Sequence, residues 1–317
     1  MQNILDTIGD TPWIQLLNFG SDIPVNIFAK LEYFNPTCSL KDRIALYLIE
    51  SAEKKGIIHP GDTIIENSSG NTATGLAMIS KQKGYNLILV VRDTLSPDKR
   101  KVLDTFGVEI IAVDATLDAN DPYSYNNYAR TYADENPGVW FVDQHDNLDN
   151  HEAHYRITGK EIAIQSEGKL DYFVGSMGTG GTLSGIGRAL KEVNPKTKII
   201  GVDPQGSVFR DYYYDNPLPK PFGHHLEGIG NALPTKNVVK EYIDEIMEIK
   251  DIDGLQMVRK LVETEGIIAG PSSGANLWGV LEIAKTSQKK LNIGTIIGDT
   301  GYKYTSTIFD DEWLNKL

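Results

Sequence analysis

Cysteine is nearly absent from this chain of 317 residues, which contains only Cys38. A single thiol excludes an internal disulfide framework and any zinc site built from a pair of cysteines. No apolar run reaches the roughly 18 residues that a membrane span needs, and the first residues, MQNILDTIGD, lack the basic start and apolar stretch of a secretion signal. We therefore expect a soluble, cytoplasmic protein with no membrane partner.

A basic stripe is also missing from the sequence. The chain has 31 basic and 43 acidic residues, which give a formal net charge of -12. Nucleic acids bind to clustered positive charge, so we expect no nucleic-acid partner. With 40% hydrophobic and 23% charged residues, the composition is that of an ordinary globular protein. The length allows two domains, or one large α/β unit with a subdomain.

Short apolar runs alternate with longer segments of helical period, which predicts an α/β fold with a mainly parallel sheet. Several of the predicted helices end at glycines that favour a left-handed cap, at Gly56, Gly84, Gly107 and Gly266. The predicted strands are VNIFAKLEYF from Val25, DTIIE to Glu66, NLILVV to Val91, EIIAV to Val113, WFVD to Asp143, YFVGSM to Met177, KIIGVD to Asp203, IIAG to Gly270 and TIIGD to Asp299.

A polar turn, ENSSGNTATG, follows the strand that ends at Glu66. Ligands of open α/β sheets bind where strands end and helices begin, because helix N-termini present free N–H groups. The hydroxyls of Ser68, Ser69 and Thr72 and the amide of Asn71 form a donor-rich turn that suits a carboxylate. Taken alone, the same turn is equally well explained as an ordinary helix cap.

A glycine-rich turn, GSMGTGGTLSG at residues 175–185, follows another predicted strand. Gly178, Gly180 and Gly181 let the backbone approach an anion, and Thr179 and Thr182 add hydroxyl donors, as a phosphate site requires. The dinucleotide pattern G-x-G-x-x-G fails because a leucine occupies the third glycine position. The P-loop pattern fails because no lysine follows the glycines.

Two further segments are candidates for the site. In GPSSGAN, residues 270–276, Ser272 or Ser273 either hydrogen-bonds a ligand or caps a helix. Residues 204–236 lack clear periodicity, which predicts either an active-site loop region or a surface excursion.

Lys41 lies in the segment NPTCSLKDR. Ser39 and Asp42 have the spacing of a capping box, which predicts a helix that begins at Leu40. In the first turn of that helix the dipole disfavours a positive charge, and a neutral lysine amine attacks carbonyl groups. The alternative is an exposed lysine whose charge is balanced by Asp42 and Glu32.

A carbonyl-reactive lysine, a phosphate-binding turn, a carboxylate-binding turn and a serine at a helix start together describe a site for pyridoxal phosphate and an amino acid. The sequence resembles the cysteine synthase and cystathionine β-synthase family of fold-type II pyridoxal-phosphate enzymes. The resemblance runs from IGDTP at residues 8–12 to GDTGYKYTSTIF at residues 298–309. It implies a tryptophan synthase β-like fold with two open, twisted α/β/α domains and mainly parallel sheets. Residues 1–42 and 147–317 would form the large cofactor-binding domain and residues 43–146 a small mobile domain.

The resemblance also implies roles for individual residues. Lys41, in the family signature NPxxSxKDR, would carry the internal aldimine and then move the Cα proton. The cofactor would further contact Asn71, Gly178, Thr179, Gly180, Gly181, Thr182 and Ser272, with Asn71 at its 3′-oxygen, residues 178–182 at its phosphate and Ser272 at its pyridine nitrogen. The substrate would contact Ser68, Ser69, Thr72, Gln144 and Gly228.

The family chemistry implied is β-replacement on serine or an O-activated serine, O-acetylserine or O-phosphoserine, through an aminoacrylate. Sulfide as the nucleophile would give L-cysteine. The alternatives are condensation with a thiol amino acid, as in cystathionine β-synthase, release of sulfide from cysteine, and synthesis of 2,3-diaminopropionate. An alternative of another class is a binding or scaffold homologue with little turnover. The family further implies a homodimer, and we expect no regulatory domain after Leu317.

Some residues depart from the family pattern or suggest other chemistry. Cys38 stands where the family usually has glycine, and the segment EGIGNALP at residues 227–234 lacks the acidic residue of the corresponding cystathionine β-synthase loop. The pairs His224–His225 and His151–His154 suggest a metal, but no H-E-x-x-H pattern or cysteine pair supports one. We therefore predict no metal site.

Overall fold

The computed structural model describes residues 3–118 and 120–317, which fold around two β-sheets. The strands are β1 Trp13–Leu16, β2 Val25–Leu31, β3 Thr63–Asn67, β4 Asn86–Arg92, β5 Glu109–Val113, β6 Val139–Phe141, β7 Tyr172–Ser176, β8 Lys198–Pro204, β9 Glu245–Ile249 and β10 Leu291–Ile297. The α-helices are α1 Lys41–Lys54, α2 Asn71–Lys83, α3 Pro97–Thr105, α4 Tyr128–Glu135, α5 Asp149–Ala153, α6 Lys160–Gln165, α7 Gly181–Val193, α8 Phe209–Tyr213, α9 Asp251–Glu265, α10 Pro271–Thr286 and α11 Asp311–Leu314. A π-helix, His154–Gly159, joins α5 to α6.

The larger sheet has the strand order β1-β2-β10-β7-β8-β9. Strand β1 is antiparallel to β2, and the other neighbours are parallel. Helices α9 and α10 pack on one face of this sheet through Leu255 and Leu277, and α6 and α7 contribute Ile162 and Ile186 to a separate cluster on the other face. Both faces are therefore covered, which explains the unbroken apolar runs of the central strands.

The smaller sheet has the order β5-β4-β3-β6 and is entirely parallel. Helices α1 and α2 bury Ile44 and Leu76 in one cluster, and Ala129 of α4 lies in a second cluster with Ile65 of β3. The fold-type II prediction of two α/β units with mainly parallel sheets is thus confirmed. The carboxyl ends of the parallel strands are the places where this architecture positions a site.

The strand predictions hold for most of both sheets and are wrong at three places. Strands β1 and β9 were not predicted, because β1 is a short edge strand and the apolar residues of β9 alternate with glutamates. The predicted strand at residues 267–270 is an isolated bridge between Ala269 and Thr300. Its apolar residues lie between two helices and pair with no neighbouring strand of the sheet.

The capping box predicted at Ser39 and Asp42 is also wrong. Helix α1 begins at Lys41, and the Asp42 carboxylate accepts hydrogen bonds from the backbone N–H and the hydroxyl of Thr37. The backbone around Ser39 is bonded instead to residues 298–300, with Leu40 N donating to Gly298 O at 2.9 Å. This pairing holds the start of α1 against the end of β10.

Left-handed glycines end helices as predicted. Gly84 and Gly266 are the C-caps of α2 and α9, with φ of 78° and 69°. Gly56 and Gly107 have positive φ just beyond α1 and α3. Among the described residues, no helix has the length and apolar character needed to cross a bilayer.

Candidate active site

The loops after the strands of both sheets surround a cavity of about 680 Å³. Nearly all of the residues proposed from the sequence line this one cavity. They are Lys41, Ser68, Ser69, Asn71, Thr72, Gln144, Gly178, Thr179, Gly180, Thr182, Gly228 and Ser272. Gly181 is the exception, because it lies behind the wall, where an added Cβ would collide with the side chain of Asn150.

Lys41 is the first residue of α1 and lines this cavity. Burial lowers the pKa of its amine to about 8, and the nearby Asp299 carboxylate opposes that shift. The two carboxylates that could have balanced an exposed lysine are engaged elsewhere. Glu32 pairs with Arg43, whose Nε lies 2.6 Å from Glu32 Oε2, and Asp42 is bonded to Thr37. With a pKa of about 8, roughly a tenth of Lys41 is unprotonated and nucleophilic at pH 7, far more than of an ordinary lysine.

Asp299 follows β10 and organises the wall beside Lys41. Its Oδ2 accepts hydrogen bonds from Asn71 Nδ2 at 2.8 Å and from the Tyr304 hydroxyl at 2.7 Å. Lys303 Nζ donates to Asn71 Oδ1 at 2.6 Å, so both ends of the Asn71 amide are held. This network fixes the side chain that the sequence analysis assigned to the cofactor's 3′-oxygen.

The glycine-rich turn lies between β7 and the first turn of α7. Gly180 has φ of 81°, and a Cβ there would lie 3.1 Å from both N and Cα of Val238. A Cβ on Gly178 would lie 2.8 Å from Gly228 O. Only glycine fits this close approach of backbone segments. The turn therefore presents main-chain N–H groups and the positive end of α7 to the cavity, which suits a phosphate.

The two threonine hydroxyls of the glycine-rich turn are oriented by hydrogen bonds to the side chains of Asn150 and His154. Thr179 Oγ1 accepts a hydrogen bond from Asn150 Nδ2 at 3.1 Å. Thr182 Oγ1 lies 3.1 Å from His154 Nε2, and the other ring nitrogen of His154 lies 3.0 Å from Thr158 Oγ1. Burial holds the pKa of His154 well below its usual value, so its ring is neutral. His154 thus holds the Thr182 hydroxyl through one ring nitrogen and the Thr158 hydroxyl through the other.

The two serines of GPSSGAN have different surroundings. Ser273 is fully buried, and its Oγ accepts a hydrogen bond from Gly298 N at 3.1 Å. Ser272 lines the cavity. Helix α10 has a proline at its start and no side-chain cap. Ser272 is therefore the serine whose hydroxyl is available to a ligand.

The carboxylate-binding turn is supported by a buried acid. Thr72 Oγ1 donates to Gln144 Oε1 at 2.7 Å, and Gln144 Nε2 donates to Glu66 Oε1 at 3.3 Å. Ser68 Oγ accepts from Ala73 N at 3.2 Å. Burial raises the pKa of Glu66 to about 8, so its carboxyl group is mostly protonated at neutral pH. The hydroxyls of this turn therefore face the cavity without a buried negative charge behind them.

The irregular stretch at residues 204–236 contributes to the cavity and also contains α8. Asn231 from this stretch has its Nδ2 3.2 Å from His145 Nδ1. Burial and the positive charge of Lys41 lower the pKa of His145 to about 4, so its imidazole is neutral near the amine.

Sequence reasoning missed several residues of the cavity wall: Arg92, Lys99, Tyr125, His145, Asn231, Asp299 and Tyr304. The sequence contained a signal for two of them. Asp299 and Arg92 end or follow predicted strands, where ligand sites occur in parallel sheets. Asn231 lies in the stretch 204–236, for which the sequence leaves an active-site loop and a surface excursion open, whereas Tyr125 comes from an irregular loop that only the tertiary fold brings to the cavity.

These features fit pyridoxal phosphate. The desolvated amine of Lys41 suits its aldehyde, the turn at residues 178–182 suits its phosphate, and the Ser272 hydroxyl suits its ring nitrogen. In the described part of the chain, no group of three or more His, Cys, Asp or Glu side chains is arranged to hold a metal ion.

Comparison with known proteins agrees with this chemistry. The profile of the pyridoxal-phosphate dependent enzyme family matches residues 4–299. The chain belongs to this family, and it is a pyridoxal-phosphate enzyme of fold type II.

Relatives of two kinds are similar to the chain over nearly its whole length. A cystathionine β-synthase of Apis mellifera is 39% identical over 99% of this chain and 62% of the relative. A cysteine synthase 3 of Caenorhabditis elegans is 37% identical over 100% of this chain and 92% of the relative. The chain therefore spans about three-fifths of the length of that cystathionine β-synthase. The crystal structure of an O-ureido-L-serine synthase superposes with a TM-score of 0.89 at 31% identity and covers 99% of both chains.

Proposed function

We propose that this protein catalyses β-replacement on serine or an O-activated serine, most simply O-acetylserine or O-phosphoserine with sulfide, to give L-cysteine. The observation that carries the proposal is the single cavity in which the Lys41 amine lies with a phosphate-binding turn and a carboxylate-binding turn. General PLP-dependent β-replacement is supported by relatives named cysteine synthase and cystathionine β-synthase.

Different residues would bind different parts of the cofactor. The turn at residues 178–182 would bind its phosphate, Asn71 its 3′-oxygen and Ser272 its ring nitrogen. When bound, the cofactor supplies an electron sink for negative charge at the substrate's Cα. Because Ser272 is a neutral hydroxyl, it does not enforce a protonated ring, so that sink is moderate.

Lys41 is the proposed base that takes the proton from Cα. Ser68, Ser69, Thr72 and Gln144 would hold the α-carboxylate and orient the Cα–H bond toward the amine. The β-substituent then leaves with the electron pair of its bond to Cβ, and the incoming nucleophile supplies the pair for the new bond. Lys41 returns the proton to Cα, so the amine ends the cycle unchanged. Proton transfer by a positioned group is typically worth about 10² to 10⁴ in rate.

A second candidate is condensation with a thiol amino acid. It is favoured by the 39% identity to the Apis mellifera cystathionine β-synthase. The cavity of about 680 Å³ has room for a second amino acid beside the first. Comparing sulfide with L-homocysteine as nucleophiles at a fixed first substrate separates the two candidates.

We also propose a domain division and an assembly. Residues 43–146 would form the small mobile domain, and residues 1–42 and 147–317 the large cofactor-binding domain. The separate sheet formed by β3, β4, β5 and β6 supports this division. The single cysteine supports a cytoplasmic location and family resemblance supports a homodimer. Sedimentation of the purified protein tests the oligomeric state.

The experiment that tests the proposed function compares Lys41→Ala with Lys54→Ala. Lys54 lies in the last turn of the same helix and is exposed, so its loss controls for a lysine removed from α1. In the wild type, borohydride reduction should attach the cofactor to the peptide that contains Lys41, and cysteine should form from O-acetylserine and sulfide. We expect Lys41→Ala to lose the attachment and at least about 10² in rate. Undiminished cysteine formation in Lys41→Ala would refute the assignment.

A further inference from the structure

Arg92 is a cation on the cavity wall that the proposed chemistry does not use. It ends β4, whose Val90 pairs with Asn67 of β3, the residue just before the carboxylate-binding turn. Arg92 lines the same cavity as Lys41 and Ser69. Its place at the carboxyl end of a parallel strand is where such sheets bind ligands.

Tyr125 connects Arg92 to the carboxylate-binding turn. The Arg92 guanidinium lies 4.3 Å from the centre of the Tyr125 ring, a cation–π contact that restrains the arginine. The Tyr125 hydroxyl donates to Asn67 O at 3.2 Å and is hydrogen-bonded to the Ser69 side chain. Burial raises the pKa of Tyr125 to about 12, so the ring stays neutral and keeps these bonds. Tyr125 thus contacts both Arg92 and Ser69 and links the arginine to the turn.

The charge of Arg92 has no carboxylate partner in the described part of the chain. Nearby cations are paired, since Lys99 Nζ lies 2.5 Å from Glu227 Oε2 and Arg100 Nε lies 3.8 Å from Asp104 Oδ2. The protein carries a net charge of -12, so acidic side chains are plentiful, yet among the described residues none forms an ion pair with this cavity-lining arginine. The free guanidinium fork matches a carboxylate or a phosphate.

We propose that Arg92 binds a second anionic group, a carboxylate or a phosphate, that one of the two substrates carries in addition to the α-carboxylate. This inference rests on the proposed function, because the turn at Ser68, Ser69 and Thr72 already accounts for the first carboxylate. The group has two possible sources. It is either the phosphate of O-phosphoserine, which leaves with the electron pair of the Cβ–O bond, or a carboxylate of the incoming nucleophile.

The test uses the cofactor-loaded wild type, Arg92→Met, Arg92→Lys and the control Arg100→Met. Arg100 lies on α3, is exposed and does not line the cavity. One arm measures the Kd of O-phospho-L-serine and of O-acetyl-L-serine from the visible spectrum. The other measures the KM of L-homocysteine and of 2-mercaptoethanol, a thiol without a carboxylate, at a fixed first substrate.

Arg92→Met should weaken binding of one anion-bearing compound by roughly tenfold to hundredfold, the usual value of a hydrogen bond to a charged group. Its counterpart without the additional anionic group should change less than about twofold, and Arg92→Lys should restore part of the loss because it keeps the charge without the fork. A loss confined to O-phosphoserine identifies a phosphate, and a loss confined to homocysteine identifies a nucleophile carboxylate. Equal small effects of Arg92→Met and Arg100→Met on all four compounds would overturn the inference.

Failure of the proposed function is distinguishable from failure of this inference. If the wild type turns over no β-substituted alanine, the function fails. Titration of the cofactor-free wild type and Arg92→Met with O-phospho-L-serine, followed by tryptophan fluorescence, then still tests the anion site. A parallel titration with L-homocysteine tests the other source, and equal affinities of the two proteins for both compounds would count against Arg92.

Discussion

At the scale of the residue, burial lowers the pKa of Lys41 and so makes its amine more reactive. From the sequence, the position of Lys41 in the first turn of α1 predicts a lowered pKa through the helix dipole. In the structure the leading cause of the lowered pKa is desolvation, and the negative charge of Asp299 works in the opposite direction. The pKa of the Lys41 amine is thus set by the residues that bury it and by the carboxylate of Asp299.

Glu66 provides a pH-dependent prediction at the same scale. Its folded pKa of about 8 lies above the ordinary value of 4.5, so the folded state binds more protons than the unfolded state between these values. The free energy of unfolding should therefore fall as the pH rises from 4.5 to 8. We expect Glu66→Gln, which resembles the protonated acid, to remove Glu66's share of this fall.

Chemical denaturation of the cofactor-free protein at several pH values measures the difference between wild type and Glu66→Gln. The difference is needed because burial also raises the pKa of Asp203 to about 7 and that of Asp42 to about 6, which adds slopes of the same sign. Parallel pH profiles for the two proteins would show that Glu66 is ionised in the fold.

At the scale of the element, the turn between β7 and α7 depends on backbone shape. Gly180 combines a left-handed φ of 81° with close contact to Val238. Gly84, the cap of α2, has a similar φ of 78° but nothing within 4 Å of an added Cβ. The two glycines therefore differ in crowding and in their distance from the cavity, while the backbone strain of a substitution is alike.

We expect Gly84→Ala to cost about 1 to 2 kcal/mol of stability, the cost of a side chain in the left-handed region, with pyridoxal phosphate binding unchanged. Gly180→Ala should lose at least as much stability and also weaken cofactor binding about tenfold or more, because Val238 and the turn must shift. Equilibrium dialysis with pyridoxal phosphate measures the affinity. Wild-type affinity in Gly180→Ala would contradict the assignment of this turn to the phosphate.

At the scale of the whole molecule, an ion pair joins Lys99 and Glu227, which both line the cavity. Lys99 comes from α3, beside the smaller sheet, and Glu227 from the loop between β8 and β9 of the larger sheet. Their side chains are 37% and 43% exposed, and pairs in such positions stabilise a fold by only about 0.2 to 1 kcal/mol. Because the pair adds little to stability, we propose that it helps to hold the two halves of the cavity together around the substrate.

Lys99→Met and Glu227→Gln should each lower the free energy of unfolding by less than about 1 kcal/mol and raise the KM of the first substrate. The double variant should be no worse than either single variant, since the pair is already lost. Steady-state kinetics at low and high salt checks this. Lys101→Met is the control, because its partner Asp98 lies on the same helix. Additive losses in KM would argue against a shared contact.

The fold was predictable to the extent that local patterns determine it. The apolar runs of β4, β7 and β8 and the glycines after helices carry their own signals. Strand β1 could not be predicted from its own residues, because a four-residue edge strand is defined by its pairing with β2. The capping box failed for a related reason, since contacts with residues 298–300 decide the conformation around Ser39.

The sequence by itself determined the α/β class and the family and predicted the loops of the candidate site, because residue spacing in a turn after a strand is a local property. Only the tertiary structure decided which polar atoms meet. It brought Asp299 to Asn71, Glu66 to Gln144 and Tyr125 to Ser69, pairs that are separated by tens to hundreds of residues. Such contacts depend on how two sheets face each other, and no periodicity within a segment encodes that arrangement.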